Sequence, residues 1–455
     1  MDIAKIVSEQ RKFFSSGITR DITYRKNALR LLKTSMLKYE KELNDALKLD
    51  LNKAPMESFM TETALVQDEI KYQLRHISKW SRKKHAATTL AQFPSKGIVI
   101  PEPYGVVLIM APWNYPYLLT MDPLIGALAA GNCCILKPSN YSIHVSQVIK
   151  KIITDVFEEN YIAVIEGGRN ENTQLLNQPF DYIFFTGGKT VGRLVLEKAA
   201  VNLTPVTLEL GGKSPCVITK DTDCRQSAKR LVWGKFLNCG QTCVAPDYVL
   251  VDKSIKEELL NDIKYWIEKM FGPQPLQNTE YPKIINEKHF TRIQKYLKDQ
   301  KIFLGGKSDS HTLKIEPTVV IDPDPGSTLM QEEIFGPLLP VLSYTDIQEA
   351  VEFIVNRPAP LALYLFTNDK KIQNFFMTQI PFGGGCINDT VIHLASPSMP
   401  FGGTGASGMG SYHGKYSFDT FSREKSIIVR GFSLDLPFRY HPYSTKNKKI
   451  LQTLM

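Results

Sequence analysis

No apolar run in this 455-residue chain is long enough to cross a bilayer. The most apolar stretches, Gly105 to Pro112 and Pro123 to Leu136, are too short or too broken by glycine. Cysteine is scarce: seven residues, an odd number scattered along a long chain, exclude a disulfide scaffold and imply reduced thiols. No Cys or His cluster has zinc-ligand spacing, so no metal is expected and His393 and His413 read as structural side chains. The start, Met1-Asp2-Ile3-Ala4-Lys5-Ile6, carries acid and base where a signal peptide needs an uninterrupted apolar stretch. A cytoplasmic protein is therefore expected. Internal repeats and low-complexity tracts are also missing.

What is present is ordinary for a globular chain, with 43% hydrophobic and 22% charged residues. The length exceeds what one core usually supports, so two or three domains are expected. A formal net charge of +9 favours anionic ligands in a general way, but the basic runs Arg82-Lys83-Lys84 and Lys446-Asn447-Lys448-Lys449 read as solvated faces. Nucleic acid is not an expected partner.

From Arg25 to Lys84, Leu29, Leu32, Met36 and Leu43 fall at helical spacing and predict an N-terminal helical layer with no chemistry of its own. From Gly105 short apolar runs alternate with helical stretches: Val106 to Met110, Cys133 to Leu136, Ile162 to Ile165 and Tyr182 to Phe185. That alternation predicts βαβ units and a parallel sheet. In such sheets ligands bind beyond the carboxyl ends of the strands, and Asn114, Lys137 and Gly187 each follow a predicted strand. A second α/β unit begins near Glu209, with strands at Cys216 to Thr219 and Tyr248 to Val251 and a helix from Ser254 to Phe271. Ser254 and Glu257 are spaced as a capping box, Gly272-Pro273 ends the helix, and Leu259, Ile263 and Trp266 are its predicted core residues. Ile98 to Pro101 and Ile427 to Arg430 are strand-like pieces outside both alternating regions.

The chemistry centres on two segments. Cys243 lies in Asn238-Cys239-Gly240-Gln241-Thr242-Cys243-Val244-Ala245-Pro246, and Glu209 in Leu208-Glu209-Leu210-Gly211-Gly212-Lys213-Ser214-Pro215. A thiol that attacks a carbonyl and a carboxylate that activates water are the two groups needed to make and hydrolyse a thioester. A free thiol, with a pKa of about 8.5, would need a helix N-terminus or a positive partner to ionise at neutral pH. The plainer alternative for Glu209 is a strand-end carboxylate satisfied by the Gly211 and Gly212 amides. Gly188-Lys189-Thr190 and Gly212-Lys213-Ser214 look like the end of a P-loop, but the required first glycine would fall at Ile183 or Thr207, so neither is one. Trp113, Tyr115, Tyr117 and Phe401 either line an apolar substrate tunnel or are plain core.

These segments resemble the nucleophile and general-base motifs of the aldehyde dehydrogenase superfamily. The resemblance extends through Ala111-Pro112-Trp113-Asn114-Tyr115-Pro116, Leu136-Lys137-Pro138-Ser139, Phe185-Thr186-Gly187-Gly188-Lys189-Thr190-Val191-Gly192, Glu332-Glu333-Ile334-Phe335-Gly336-Pro337 and the segment from Pro400-Phe401-Gly402-Gly403 to Gly410. Their order, in a chain without the longer N-terminal arm of other classes, is similar to the class 3 branch. Some relatives there carry a hydrophobic C-terminal anchor, which Gln452-Thr453-Leu454-Met455 is not.

The resemblance implies two Rossmann-like doubly wound α/β domains with a small β element that pairs subunits into a homodimer. Residues 1–84 would be the helical layer of the cofactor domain, 85–104 an oligomerisation strand segment, 105–208 the dinucleotide-binding domain and 209–400 the catalytic domain. Residues 401–424 would be a return segment and 425–455 an oligomerisation strand with the C-terminal tail. It further implies NAD or NADP as cofactor and Cys243, Glu209 and Asn114 as the catalytic groups. Asn114 and the Cys243 N–H would form the oxyanion hole. Lys137, with Ser139 and Asn140, would meet the adenosine ribose; Gly187, Gly188, Thr190, Val191 and Gly192 would form the dinucleotide loop. Glu333 would meet the nicotinamide ribose, with Trp113, Leu210 and Phe335 packed beside the cofactor. Many relatives have Glu where Asn140 stands, and its absence removes a group that would repel the 2′-phosphate of NADP. The expected reaction is oxidation of medium- or long-chain aliphatic or aromatic aldehydes through a Cys243 thioester hydrolysed by water. The competing readings are acyl transfer to coenzyme A and a non-enzymatic protein on this scaffold. Cys239 is either an inert buried thiol or a partner for a reversible disulfide with Cys243.

Overall fold

The computed structural model describes residues 2–454, leaving Met1 and Met455 outside. The N-terminal layer is built from the helices Ile3–Ser15, Ile22–Lys38, Glu40–Leu51 and Ala64–Trp80. Asp2 and Asp21 start the first two by accepting the N–H groups of Lys5 and Tyr24, and Asn52 in a left-handed conformation ends the third. Leu29, Leu32, Met36 and Leu43 are buried as their spacing predicts. Before the fourth helix, the short turn Pro55–Ser58 runs into the π-helical turn Phe59–Thr63.

The first sheet has six strands in the order Gly408–Met409, Val206–Leu210, Tyr182–Gly187, Val106–Met110, Cys133–Lys137, Ile162–Val164. All neighbours are parallel except the first pair, in which Gly408 stands opposite Glu209. The earliest strand in the sequence, Val106–Met110, lies between Tyr182–Gly187 and Cys133–Lys137, so the connections diverge on either side of it. That divergence opens a crevice at the carboxyl ends of Val106–Met110 and Tyr182–Gly187. Both strands lead directly into segments singled out from the sequence.

The second sheet runs in the order Ile302–Leu304, Thr318–Ile321, Leu338–Tyr344, Tyr248–Asp252, Pro215–Ile218, Ala362–Phe366, Gly384–Ile387. It is parallel apart from its antiparallel edge strand Ile302–Leu304. A third, antiparallel sheet joins Lys84–Ala86, Ser95–Pro103 and Ser422–Arg430, the last two pairing along nine residues from Ser422 opposite Pro103 to Arg430 opposite Ser95. Among the described residues no helix is long and apolar enough to cross a membrane.

Two local expectations change. The Ser254–Glu257 capping box does not form. Asp252 takes the N–H and hydroxyl of Ser254, a 3₁₀ turn spans Lys253–Ile255, and the helix proper is Lys256–Phe271. A carboxylate two residues upstream took the Ser254 N–H that Glu257 would have accepted, and engaged the Ser hydroxyl as well. Leu259 and Ile263 are fully buried, whereas Trp266 is only half-buried, its indole N–H donating to the Arg225 carbonyl at 2.9 Å.

Candidate active site

A cavity of about 460 Å³ opens between the two large sheets, at the crevice described above. The turn after Val106–Met110 contributes Trp113 and Asn114, and the end of Tyr182–Gly187 contributes Gly187 with Gly188. Glu209 and Leu210 enter from the end of Val206–Leu210, Cys243 from the loop before Tyr248–Asp252, and Glu333 with Phe335 from the turn before Leu338–Tyr344. Tyr115 and Phe401 also line it. Tyr117 does not: it is 1% exposed and belongs to the core.

Asn114 is 2% exposed and held on both sides. Its side-chain Nδ2 donates to the Gln241 carbonyl at 3.0 Å, which leaves its second amide hydrogen available. Its backbone carbonyl accepts from Asn238 Nδ2 at 2.8 Å and from Lys53 Nζ at 3.1 Å. The loop that carries the thiol is strained, because Asn238 (φ 50°) and Cys239 (φ 55°) both occupy the left-handed region. Gly240, at φ 72°, follows them; a Cβ there would lie 2.2 Å from the Gly336 carbonyl oxygen, so only glycine fits.

The Cys243 thiol is half-buried and its pKa is pushed up to about 12 by burial, then by the carboxyl groups of Glu333 and Glu209. Of the two expected sources of help, a helix N-terminus or a positive partner, no positively charged partner acts on it; backbone N–H groups of Cys243 and Val244 counter the rise without overcoming it. Glu209 is 3% exposed and neither carboxyl oxygen has a partner. Burial raises its pKa well above the usual carboxylate value. The alternative of a carboxylate satisfied by Gly211 and Gly212 is excluded, since the Gly212 N–H serves Glu333. Burial lifts Glu333 to about 8, assisted by Asp247 and opposed by Lys189, the Gly212 N–H and Lys213. A Cβ on Gly211 would come within 2.0 Å of a Glu333 carboxyl oxygen, so this glycine makes room for that side chain.

Lys137, the last residue of Cys133–Lys137, and Ser139 and Asn140 just beyond it lie outside the cavity wall. Lys137 pairs with Met110 across the sheet, its Nζ donates to the Pro138 carbonyl at 2.8 Å, and burial lowers its pKa to about 8. Thr190, Val191 and Gly192 lie in the first turn of the helix Lys189–Val201, also outside the wall. That helix has no side chain capping its N-terminus, so its first N–H groups are free to meet an anion. A Cβ on Gly188 would meet only open space. Free N–H donors, the Lys137 side chain at the end of its strand and an unpartnered Glu333 Oε1 form a donor and acceptor set that fits a dinucleotide.

Cys239 faces away from this centre. It is fully buried in the cluster around Tyr281 and Ile293, its thiol donates to the Tyr281 hydroxyl at 3.3 Å, and its pKa is pushed up to about 12 by burial. His413 Nε2 stands 3.7 Å from Asp122 Oδ2 at the cavity wall, and His393 Nδ1 stands 3.6 Å from Cys386 Sγ. Sequence reasoning missed four participants. Arg292 and His289 reach the wall from the helix Glu287–Tyr296, and Lys53 and Glu62 sit beneath Asn114. No local pattern marks any of them, because each owes its position to packing between distant elements.

The Aldehyde dehydrogenase family model matches residues 1–427. The 4,4'-diaponeurosporen-aldehyde dehydrogenase of Staphylococcus aureus is 45% identical over 97% of each chain. The mouse aldehyde dehydrogenase family 3 member A2 is 42% identical, covering 95% of this chain and 90% of its own. Among solved structures, the substrate-bound state of Staphylococcus aureus AldH superposes with a TM-score of 0.97 at 44% identity, covering both chains completely.

Proposed function

The chain belongs to the aldehyde dehydrogenase family, and on that footing we propose how its residues share the NAD- or NADP-dependent oxidation of aldehydes to carboxylic acids. Cys243 Sγ gives up its thiol proton to water, attacks the aldehyde carbon as the carbonyl π bond opens onto oxygen, and forms a thiohemiacetal. The free amide hydrogen of Asn114 and the N–H of Cys243 receive the developing oxyanion, each such donor typically supplying roughly 3 kcal/mol. The bound dinucleotide supplies the hydride acceptor, and a thioester on Cys243 remains. Glu209 takes a proton from a water whose oxygen adds to the thioester carbon. The C–S bond then breaks, the carboxylic acid leaves and the thiol is restored. The carrying observation is Glu209, a buried carboxyl with both oxygens unpartnered in the same cavity as the thiol.

The uncapped start of Lys189–Val201, through Gly187, Gly188, Thr190, Val191 and Gly192, would hold the pyrophosphate. Lys137, Ser139 and Asn140 would meet the adenosine ribose, Glu333 the nicotinamide ribose, and Trp113, Leu210 and Phe335 would pack alongside. Gly192 supports that wall, since a Cβ there would lie 2.6 Å from a Leu210 methyl.

Medium- or long-chain aliphatic and aromatic aldehydes are the proposed substrates, supported by the apolar wall of Leu118, Leu119, Trp233, Leu237 and Phe401. A homodimer is proposed through the sheet edge Ser422–Arg430, where Ile427, Ile428 and Val429 are exposed. Cytoplasmic location is supported by seven cysteines that are all free thiols. The division into residues 105–208 for the dinucleotide and 209–400 for catalysis is retained as a proposal. The discriminating test is NADH formation from an aldehyde with and without coenzyme A. Turnover without coenzyme A supports hydrolysis, strict dependence on it supports acyl transfer, and no turnover supports a non-enzymatic role.

A further inference from the structure

The N-terminal helical layer, which carries no chemistry by sequence, reaches the reaction centre through three charged side chains. Lys53 and Glu62 form an ion pair at 2.5 Å in which both side chains are completely buried. Burying such a pair sacrifices hydration that its Coulomb attraction alone rarely recovers, so its retention calls for an explanation beyond stability. Every remaining bond of the pair ends on the Asn114 segment. Lys53 Nζ donates to the Asn114 carbonyl at 3.1 Å and lies 4.0 Å from the ring centre of Tyr115. Glu62 Oε2 accepts the N–H groups of Tyr117 and Leu118 at 2.9 and 3.2 Å, closing the N-terminus of the helix Leu118–Ala130.

The same carbonyl of Asn114 is shared with the thiol loop, through Asn238 Nδ2 at 2.8 Å. A second carboxyl of the layer, Glu57, accepts the N–H of Asn238 at 2.8 Å, where the backbone enters its left-handed stretch. Tyr115 closes the circuit with a 2.6 Å hydrogen bond between its hydroxyl and Thr242 Oγ1, beside Cys243. Glu62 lies within the π turn Phe59–Thr63, where Thr61 and Thr63 are buried beside it.

We propose that Lys53, Glu62 and Glu57 are positioning residues that clamp the Asn114 segment and the strained Asn238–Gln241 turn in one register. The amide hydrogen of Asn114 and the N–H of Cys243 then converge on one oxygen. This rests on the proposed role of Asn114 in the oxyanion hole.

The test is a coupling measurement. Lys53→Met with Glu62→Gln removes both charges together, preserves volume and leaves a carbonyl oxygen for the Tyr117 and Leu118 N–H groups, so the fold survives. In the native background Asn114→Ala lowers kcat about a hundredfold, the scale of one lost oxyanion donor. The clamp variant lowers kcat at least about tenfold with little change in KM or in the Kd for NADH. Within it Asn114→Ala costs less than about tenfold more, because a misplaced amide has little left to lose. Glu57→Ala, at a half-buried site, gives a smaller loss with the same coupling and covers the case of an unstable clamp variant. Additive losses, or a clamp variant with native kcat, overturn the proposal. An inactive native enzyme, or Asn114→Ala without effect in the native background, instead overturns the reading on which it rests.

Discussion

Replacing Glu209 by Gln keeps the shape of the side chain and removes only its ability to ionise, so it separates two consequences of one buried carboxyl. Kinetically, the first half-reaction proceeds and the second stalls. Rapid mixing should show about one NADH per active site, followed by steady turnover reduced roughly 10²- to 10⁴-fold, the span of a lost general base. Thermodynamically, Glu209 is 3% exposed, has no partner for either oxygen, and its pKa is raised in the folded state by burial. For an acid raised in this way, stability is fully present below the unfolded value near 4.5 and is lost as pH climbs towards the folded value. The native enzyme should therefore lose about 1.4 kcal/mol per pH unit relative to the variant across that window. For a chain of 455 residues that corresponds to roughly 1–1.5 °C in Tm per pH unit. Melting curves of both proteins at pH 4.5, 6 and 7 should coincide at the lowest pH and separate upwards, the variant melting higher. An undiminished steady-state rate refutes the assignment of Glu209. A Tm difference that does not depend on pH refutes its description as an unpaired buried acid.

Three further outcomes follow from other parts of the site. With the Cys243 thiol pushed up to about 12, its alkylation by iodoacetamide in the cofactor-free enzyme should rise about tenfold per pH unit from 7 to 10; a plateau below pH 9 would falsify that value. Asn140 is exposed, and a carboxylate placed there opposite a 2′-phosphate meets about 1–2 kcal/mol of repulsion. Native enzyme should thus accept NADP as well as NAD, and Asn140→Glu should move the kcat/KM ratio about tenfold towards NAD; strong native exclusion of NADP counts against this. After mild peroxide, peptide mass spectrometry should find Cys243 oxidised and Cys239 intact, because Cys239 is buried against Tyr281; a Cys239–Cys243 linkage would show that the loop opens.

The strands that carry the site were legible because each is a short apolar run flanked by turn residues, and Asn114, Lys137 and Gly187 follow such runs directly. The steric reasons for Gly211 and Gly240 were not, because each makes room for a residue far along the chain, Glu333 and Gly336. Lys53 and Glu62 were not. Charged residues near helix ends read as solvated, and only packing against the turn after Met110 reveals that both are fully buried. Tyr117, left open between tunnel and core by its sequence, lies in the core, since an aromatic beside a motif looks the same whether it faces a cavity or the core. The raised pKa of Cys243 was hidden because it depends first on burial and then on two carboxyl groups from a separate strand and turn.

The strand Gly408–Met409 completes the sheet beside Glu209, and the wall around it includes Phe401, Tyr412 and His413. These residues leave the ribosome about 200 residues after Leu210, roughly 10–40 s later at ordinary translation speed. Over that interval the Val206–Leu210 edge is bare, and Ser95–Pro103 has Lys84–Ala86 on one flank but nothing yet on the other. Both are open templates for pairing with a neighbouring nascent chain. Newly made chains on a polysome are accordingly the population that most needs a chaperone, and the cavity wall is complete only once Phe401, Tyr412 and His413 have been released.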